Sequence, residues 1–115
     1  MLAKVVSQPY LDQIRSGRKT YEGRLASKID EWGLELGQFI KFYDEHNSDI
    51  SVVVKVISLT KFPDFGTAFD EFGDKLIPDK TRNEVVQIYN DIYSPDLIRD
   101  IGVVIIDLEL IQLSP

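Results

Sequence analysis

The stretch "SGRKTYEGR", residues 16–24, gathers positive charge around one glutamate in a chain that is acidic overall. Its adjacent threonine and tyrosine favour a β-strand, on which Glu22 and Arg24, two residues apart, share one face. Lys19 is an odd step away, and it joins them only if the strand begins irregularly, which Gly17 permits. The spacing therefore predicts a small charged cluster at the start of a strand.

The charge of the chain is unevenly distributed. Of 13 basic and 19 acidic residues, residues 1–24 hold five and two, and residues 25–115 hold eight and seventeen. The acidic remainder argues against bulk attraction to nucleic acid or to an anionic membrane. A local basic site on such a body selects a small anionic or polynucleotide ligand, although solvated Arg15, Arg18 and Arg24 would give the same count.

Length and composition limit the class of protein. The 115 residues predict a single domain over residues 1–115. The longest apolar runs, "VVVKVISL" and "IGVVIIDLELI", are broken by charges and too short to span a bilayer, so no membrane partner is expected. The start lacks the pattern of a secretory signal, and a cytoplasmic location is the default expectation. Without cysteine, a disulfide framework and a thiolate metal site are excluded.

Local patterns predict the elements that flank the charged strand. In "SQPYLDQIRSG" we expect a short helix with Ser7 as its N-cap and Gly17 at its C-terminus. The segment "GQFIKFYDEHNSDISVVVKVISLTKF" predicts two strands joined by a polar turn over 46–49. This hairpin carries apolar residues on both faces, which is typical of a barrel with helical cover.

The second half of the chain predicts two helices and a closing strand. Asp64 is expected to cap a helix that ends at Gly73, and its phenylalanines fall at helical spacing. Thr81 and Glu84 form a capping box for the next helix, which Pro95 is expected to end. "GVVIIDLELIQL" predicts a long last strand. This order indicates an α+β fold, a small mixed β-barrel with flanking short helices.

Gly17, Lys19, Glu22 and Arg24 match the pattern G-x-K-x-x-E-x-R, which resembles the motif of the ASCH domain family in the PUA-like superfamily. The likeness covers nearly the whole chain. It extends to "QPYLDQI", "LELGQFIKFYD", "LTKFPDFGTAFDE" and "IYNDIYSPDLIRDIGVVIIDLEL", with Gln38 where the family usually has aspartate. The resemblance implies one PUA-like barrel with a cleft that the motif enters, associated with RNA or modified nucleosides.

The resemblance also implies roles for the motif. Lys19 and Arg24 would be cationic donors for a phosphate or a developing oxyanion, and Glu22 would accept protons or position a polar ligand. In an enzyme, Lys19 and Glu22 would be the catalytic residues. The structural alternative for Glu22 and Arg24 is a cross-barrel salt bridge. Lys19, beside a glycine at a strand entry, is expected to have little structural role.

For five residues outside the motif the sequence predicts either a place near the cleft or an ordinary structural role. Gln8 is predicted as a polar wall and Tyr10 as a stacking ring, with a helix-cap neighbour and a core aromatic as the alternatives. Tyr93 is placed near the cleft by the resemblance, or is an ordinary helix-face aromatic. Trp32 is predicted to anchor its loop, with a lid as the alternative. His46 lies in a turn whose Asp and Asn are expected anyway, so no metal or cofactor is predicted.

The sequence leaves the presence of catalysis open. One hypothesis is a module that binds RNA or a small nucleoside or nucleotide through Lys19, Glu22 and Arg24, with Gln8 and Tyr10 beside them. The alternatives are an amidohydrolase acting on N4-acetylcytidine-like substrates and a ribonuclease. Similar amidohydrolases use a threonine nucleophile where this chain has Glu22, and a carboxylate would instead have to activate water. A protein-interaction adaptor is a further possibility, and a monomer or weak dimer is expected.

Overall fold

The computed structural model describes residues 1–114, which form five β-strands, five α-helices and a 3₁₀ turn at Gly73–Lys75. The strands are β1 (Leu2–Val5), β2 (Tyr21–Leu25), β3 (Phe39–Tyr43), β4 (Ser51–Phe62) and β5 (Val103–Leu113). The helices are α1 (Tyr10–Arg15), α2 (Ala26–Trp32), α3 (Phe65–Phe72), α4 (Arg82–Ile92) and α5 (Pro95–Ile101). Over this part of the chain, no helix is both long and apolar enough to traverse a bilayer.

The strands form one curled sheet in the order β1-β3-β4-β5-β2. β1 runs parallel to β3 and the other pairs are antiparallel. Two register shifts in the long β4–β5 ladder, at Val53/Val54 and Val56/Ser58, add twist and bend the sheet. The result is a half-barrel whose edge strands, β1 and β2, share no ladder within residues 1–114. The predicted α+β fold, with a barrel-like sheet and flanking short helices, is confirmed, and the seam between β1 and β2 is open.

The core lies on both faces of the sheet. On β5, Ile106 and Leu108 join a cluster with α1 and the β3–β4 hairpin, whereas Val103 and Ile105 join a second cluster with α3 and α4. A strand buried on both faces reads as a continuous apolar run, as "GVVIIDLELI" does. The helices therefore cover both sides of the first part of β5, whereas residues 109–113 at its end are exposed and the seam between the edge strands is open.

Most of the predicted elements are confirmed, and two of their ends are corrected. Thr81 and Glu84 form the full capping box of α4, and Asp64 accepts a hydrogen bond from the Thr67 amide at the start of α3. Ser7 is not the cap of α1, because Pro9 occupies that position without a side-chain hydrogen bond. Pro95 does not merely end α4: it opens α5 at a position where its missing N–H costs nothing.

Candidate functional site

A cleft of about 270 Å³ opens at the seam between β1 and β2. β2 and Lys19, two residues before it, supply a charged floor, and the end of β1, α1 and α4 supply mainly apolar walls. The floor consists of Lys19, Glu22 and Arg24, and the walls include Val6, Tyr10, Ile88 and Tyr93. The structure thus brings the charged motif to the one place where the half-barrel is not closed by strand pairing.

The register of β2 explains why two motif side chains point the same way. Glu22 lies opposite Ile106 and Arg24 opposite Val104 on β5, and the alternation of the strand puts both on one face. Lys19 lies just before β2 and reaches back to the same face. Its Nζ lies 3.8 Å from Oε1 of Glu22, and Nη2 of Arg24 lies 3.5 Å from Oε2. The glutamate therefore lies between two cations.

The three floor side chains differ in accessibility. The side chains of Lys19 and Glu22 are 2% and 9% exposed, whereas that of Arg24 is 20% exposed. Burial, the largest single effect, disfavours the charged form of Arg24, but the Glu22 carboxylate together with Tyr93 and Tyr89 outweighs it, so the pKa of the guanidinium is raised. Arg24 is thus a permanent cation and the member of the cluster most accessible to a ligand.

Lys19 has a larger structural role than the sequence indicated. Its ammonium donates to the main-chain carbonyl oxygen of Tyr21 at 2.7 Å and to that of Leu76. These bonds fasten the start of β2 to the segment before α4, so the expectation of little structural work was wrong. Burial lowers the pKa of the Lys19 amine, and Glu22 opposes this effect while Arg24 adds to it.

The two neighbours make the pKa of Lys19 a test of this geometry. We expect Lys19 to titrate below its ordinary value of 10.5. Glu22→Gln should lower the pKa further because it removes a stabilising anion, and Arg24→Gln should raise it. The measurement is a pH titration of the Lys19 side-chain carbon signals by NMR. Shifts of the same sign in both variants would contradict the arrangement.

The same pKa shift has a consequence for stability. An amine with a depressed folded-state pKa binds its proton less tightly in the folded protein than in the unfolded chain. The contribution of Lys19 to stability should therefore rise with pH between its folded-state pKa and 10.5, and fall as the pH drops through that range.

Tyrosine rings surround the carboxylate of Glu22. Tyr89 is buried, and its ring stacks on Phe65 with centroids 3.6 Å apart. Burial raises the pKa of Tyr89 well above its usual value, and the charge of Glu22 raises it further. Burial likewise raises the pKa values of Tyr93 and Tyr10. The cleft therefore presents neutral phenol groups beside an ion-pair cluster.

Comparison with protein-family models and with curated proteins gave no match. Known structures do match. The hypothetical protein PH0355 shares 26% identity at a TM-score of 0.82, with 96% of this chain and 98% of that chain covered. Protein PF0455 from Pyrococcus furiosus shares 21% sequence identity at a TM-score of 0.74, and the match covers 96% of this chain and 97% of that chain. An ASCH protein from Zymomonas mobilis shares 18% sequence identity at a TM-score of 0.61, and the match covers 97% of this chain and 72% of that chain. The chain therefore has the fold of an ASCH domain.

Two of the three flanking residues predicted from the sequence lie at the cleft and one does not. Tyr10 and Tyr93 line the cleft, as expected from the sequence, whereas Gln8 is exposed and lies outside the lining. The Gln8 amide donates to Asp44 at 2.9 Å and to Asp12 at 3.2 Å, so it joins α1 to the hairpin turn. The helix-cap neighbour was the better interpretation of Gln8.

The sequence analysis did not single out Tyr89 and Glu45, which also line the cleft. Tyr89 lies one helical turn before Tyr93 and faces the same cleft. The pair of tyrosines at i and i+4 was the available signal. Glu45, from the hairpin turn, also lines the cleft, and nothing in the sequence pointed to it.

The turn between β3 and β4 is held by hydrogen bonds among its own polar residues. Asp44 accepts hydrogen bonds from the main-chain amides of His46 and Asn47, and the first of these is the main reason that the pKa of Asp44 is lowered. The His46 side chain is 86% exposed. In residues 1–114, no group of three His, Cys, Asp or Glu side chains is arranged to hold a metal ion.

Proposed function

We propose that this ASCH-like domain binds a nucleobase, carried by a modified nucleoside or by single-stranded RNA, in the cleft above Lys19, Glu22 and Arg24. The observation that carries the proposal is a buried carboxylate held between two cations at the bottom of an aromatic-walled cleft of about 270 Å³. A cleft of this size suits one base or nucleoside rather than a run of nucleotides.

The floor has the donors and acceptors that a base edge requires. Base edges combine N–H donors with carbonyl and ring-nitrogen acceptors, and proteins read them in unpaired RNA by hydrogen bonds while aromatic rings stack on the base. Glu22 can accept from an N–H group, and Arg24 can donate to a carbonyl oxygen. Tyr10 and Tyr93 supply rings in the walls. This combination supports recognition of a base.

The charge balance of the cleft favours a neutral group over a phosphate. Its charged lining residues are Lys19, Arg24, Glu22 and Glu45, two of each sign. Both cations already face Glu22, so a phosphate placed on either would also meet the carboxylate. The phosphate role considered for Lys19 and Arg24 in the sequence therefore receives less support than recognition of an uncharged base.

The contacts of Lys19 favour binding over hydrolysis. A lysine that activates a nucleophile needs a free amine close to the reacting atom. The Lys19 ammonium instead donates to two main-chain carbonyls, which occupy two of its three N–H donors, and it lies 3.8 Å from the Glu22 carboxylate. The amidohydrolase and ribonuclease alternatives are therefore outcomes of the test and not the proposal.

The test is an amide NMR titration with N4-acetylcytidine, cytidine 5′-monophosphate and a short single-stranded RNA, following the nucleoside's own signals over time. We expect shifts centred on residues 19–24, an unchanged nucleoside, and affinity for N4-acetylcytidine that does not fall with added salt. Arg24→Gln should weaken binding at least about tenfold, since a hydrogen bond to a charged group is lost. Arg18→Gln is the matched control, because exposed Arg18 pairs with Asp79 outside the cleft.

Each other outcome has a distinct meaning. Conversion of N4-acetylcytidine to cytidine would establish an amidohydrolase, and cleavage of the RNA would establish a ribonuclease. Tighter, salt-sensitive binding of the monophosphate would identify a phosphate site. No shift with any of the three probes would overturn the proposal and favour the adaptor alternative.

A further inference from the structure

Trp32 lies outside the lining of the cleft and yet contacts its most accessible cation. It is the last residue of α2, the helix that directly follows β2. The Arg24 guanidinium carbon lies 5.2 Å from the centroid of the Trp32 ring, within the range of a cation–π interaction. The sequence predicted Trp32 as the anchor of a loop; the residue instead ends α2, and its ring packs against the buried cluster that contains α1 and the β3–β4 hairpin.

Besides Trp32, the guanidinium of Arg24 has the Glu22 carboxylate and the Tyr93 hydroxyl as polar neighbours. Its ion pair with Glu22 is a single contact at 3.5 Å and not the bidentate fork that carboxylates and guanidinium groups often form. Such contacts at the N–H edge do not by themselves fix the plane of the group. A flat aromatic surface restrains it, because the planar guanidinium stacks on the ring face.

We propose that Trp32 is a positioning residue for Arg24, holding the guanidinium against its ring so that the N–H edge faces Glu22 and the cleft. Stacking uses the face of the guanidinium and leaves its in-plane N–H donors for Glu22 and a ligand. The effect on ligand affinity rests on the proposed function, whereas the effect on Arg24 itself does not. The two therefore need separate measurements.

Lys4 offers an internal comparison on the same ring. Its Nζ lies 4.6 Å from the Trp32 centroid, but Lys4 comes from β1 and does not line the cleft. Trp32 thus contacts one cation from each edge strand of the open seam. Only the Arg24 contact reaches the proposed ligand, so a Lys4 variant separates the positioning of Arg24 from a general loss of cation–π contacts.

The first measurement needs no ligand and follows the Arg24 Nε–H signal by NMR. We expect this signal to carry a ring-current shift in the native protein, to lose it in Trp32→Leu, and to keep it in part in Trp32→Phe. Lys4→Gln should leave it in place. An Arg24 signal that is the same in Trp32→Leu as in the native protein would overturn the proposal. Thermal unfolding of each variant shows whether the comparison is made on folded protein.

The second measurement repeats the N4-acetylcytidine titration. Trp32→Leu should weaken binding roughly tenfold, the value of a partly desolvated cation–π contact, and Trp32→Phe should recover most of the loss. Lys4→Gln should bind as the native protein does. Equal affinity in Trp32→Leu and native protein would overturn the positioning role. If the native protein binds no probe, the proposed function fails, and the Arg24 signal alone decides whether Trp32 positions it.

Discussion

Lys19→Met should lower the free energy of unfolding by about 3–5 kcal/mol, the usual result of removing one member of a buried ion pair. The Lys19 side chain is 2% exposed. Its ammonium forms an ion pair with Glu22 and donates hydrogen bonds to the carbonyl oxygens of Tyr21 and Leu76. Methionine fills a similar volume but leaves a buried carboxylate with one cation fewer and two carbonyls without their donor. Urea-induced unfolding measures the loss.

Two further variants isolate the cause. Lys28 and Glu31 form a pair with the same i,i+3 spacing on the surface, with side chains 40% and 60% exposed. Lys28→Met should cost less than about 1 kcal/mol, because exposed pairs contribute little. Adding Glu22→Gln to Lys19→Met should recover part of the loss, since the buried carboxylate charge is then removed and the Arg24 charge left behind is more exposed. Similar losses for Lys19→Met and Lys28→Met would show that burial of the first pair is not what stabilises the fold.

Elements with strong local signals were predictable from the sequence. The capping box of Thr81 and Glu84 fixes the start of α4, and Asp64 fixes that of α3. The hairpin of β3 and β4 and the strand β5 follow from apolar periodicity and from a polar turn. In each case one local rule and the burial pattern agree, which makes the assignment robust.

Three elements were missed because tertiary contacts define them. β1 is a four-residue edge strand that exists by parallel pairing with β3, and parallel partners leave no turn signal between them. α2 has Leu25 at its N-cap position, where no side-chain hydrogen bond caps the helix, and it has one buried residue, Ile29. α5 begins with Pro95, which was interpreted only as the end of the preceding helix. The sequence patterns of these three elements were weak or, at Pro95, compatible with either the end or the start of a helix.

The contacts of the candidate site were likewise predictable only in part. The alternation of β2 predicted the meeting of Glu22 and Arg24, because it depends only on strand geometry. The hydrogen bonds of Lys19 to Tyr21 and Leu76 were not predictable, since Leu76 lies 57 residues away in the chain. The approach of Trp32 to Arg24 depends on how α2 folds back from β2, which the intervening residues did not indicate. The sequence pattern indicated where the charged residues lie in the chain, whereas their exposure, greatest for Arg24, is determined by the fold.

Gly23→Ala should destabilise the domain by about 1–3 kcal/mol, because the new methyl group has no space. A Cβ at this position would lie 2.7 Å from Cε1 of Phe65 and 2.8 Å from the hydroxyl of Tyr89. These two rings are stacked on each other and buried, so neither can move aside without disturbing the core cluster beneath α3 and α4. The loss should be measured by urea-induced unfolding.

Gly66→Ala is the matched control for this prediction. Its Cβ would also meet a neighbour at 2.7 Å, but that neighbour is the end of the Arg82 side chain, which is 49% exposed and can swing into solvent. Because Gly66 lies in α3, alanine also gains about 1 kcal/mol of helix propensity, so the net change should be close to zero. Equal stability of the two variants would mean that the Phe65 and Tyr89 rings are not held tightly. A loss confined to Gly23→Ala, accompanied by weaker binding of N4-acetylcytidine, would show that the same close contact between β2 and α4 both stabilises the domain and shapes its cleft.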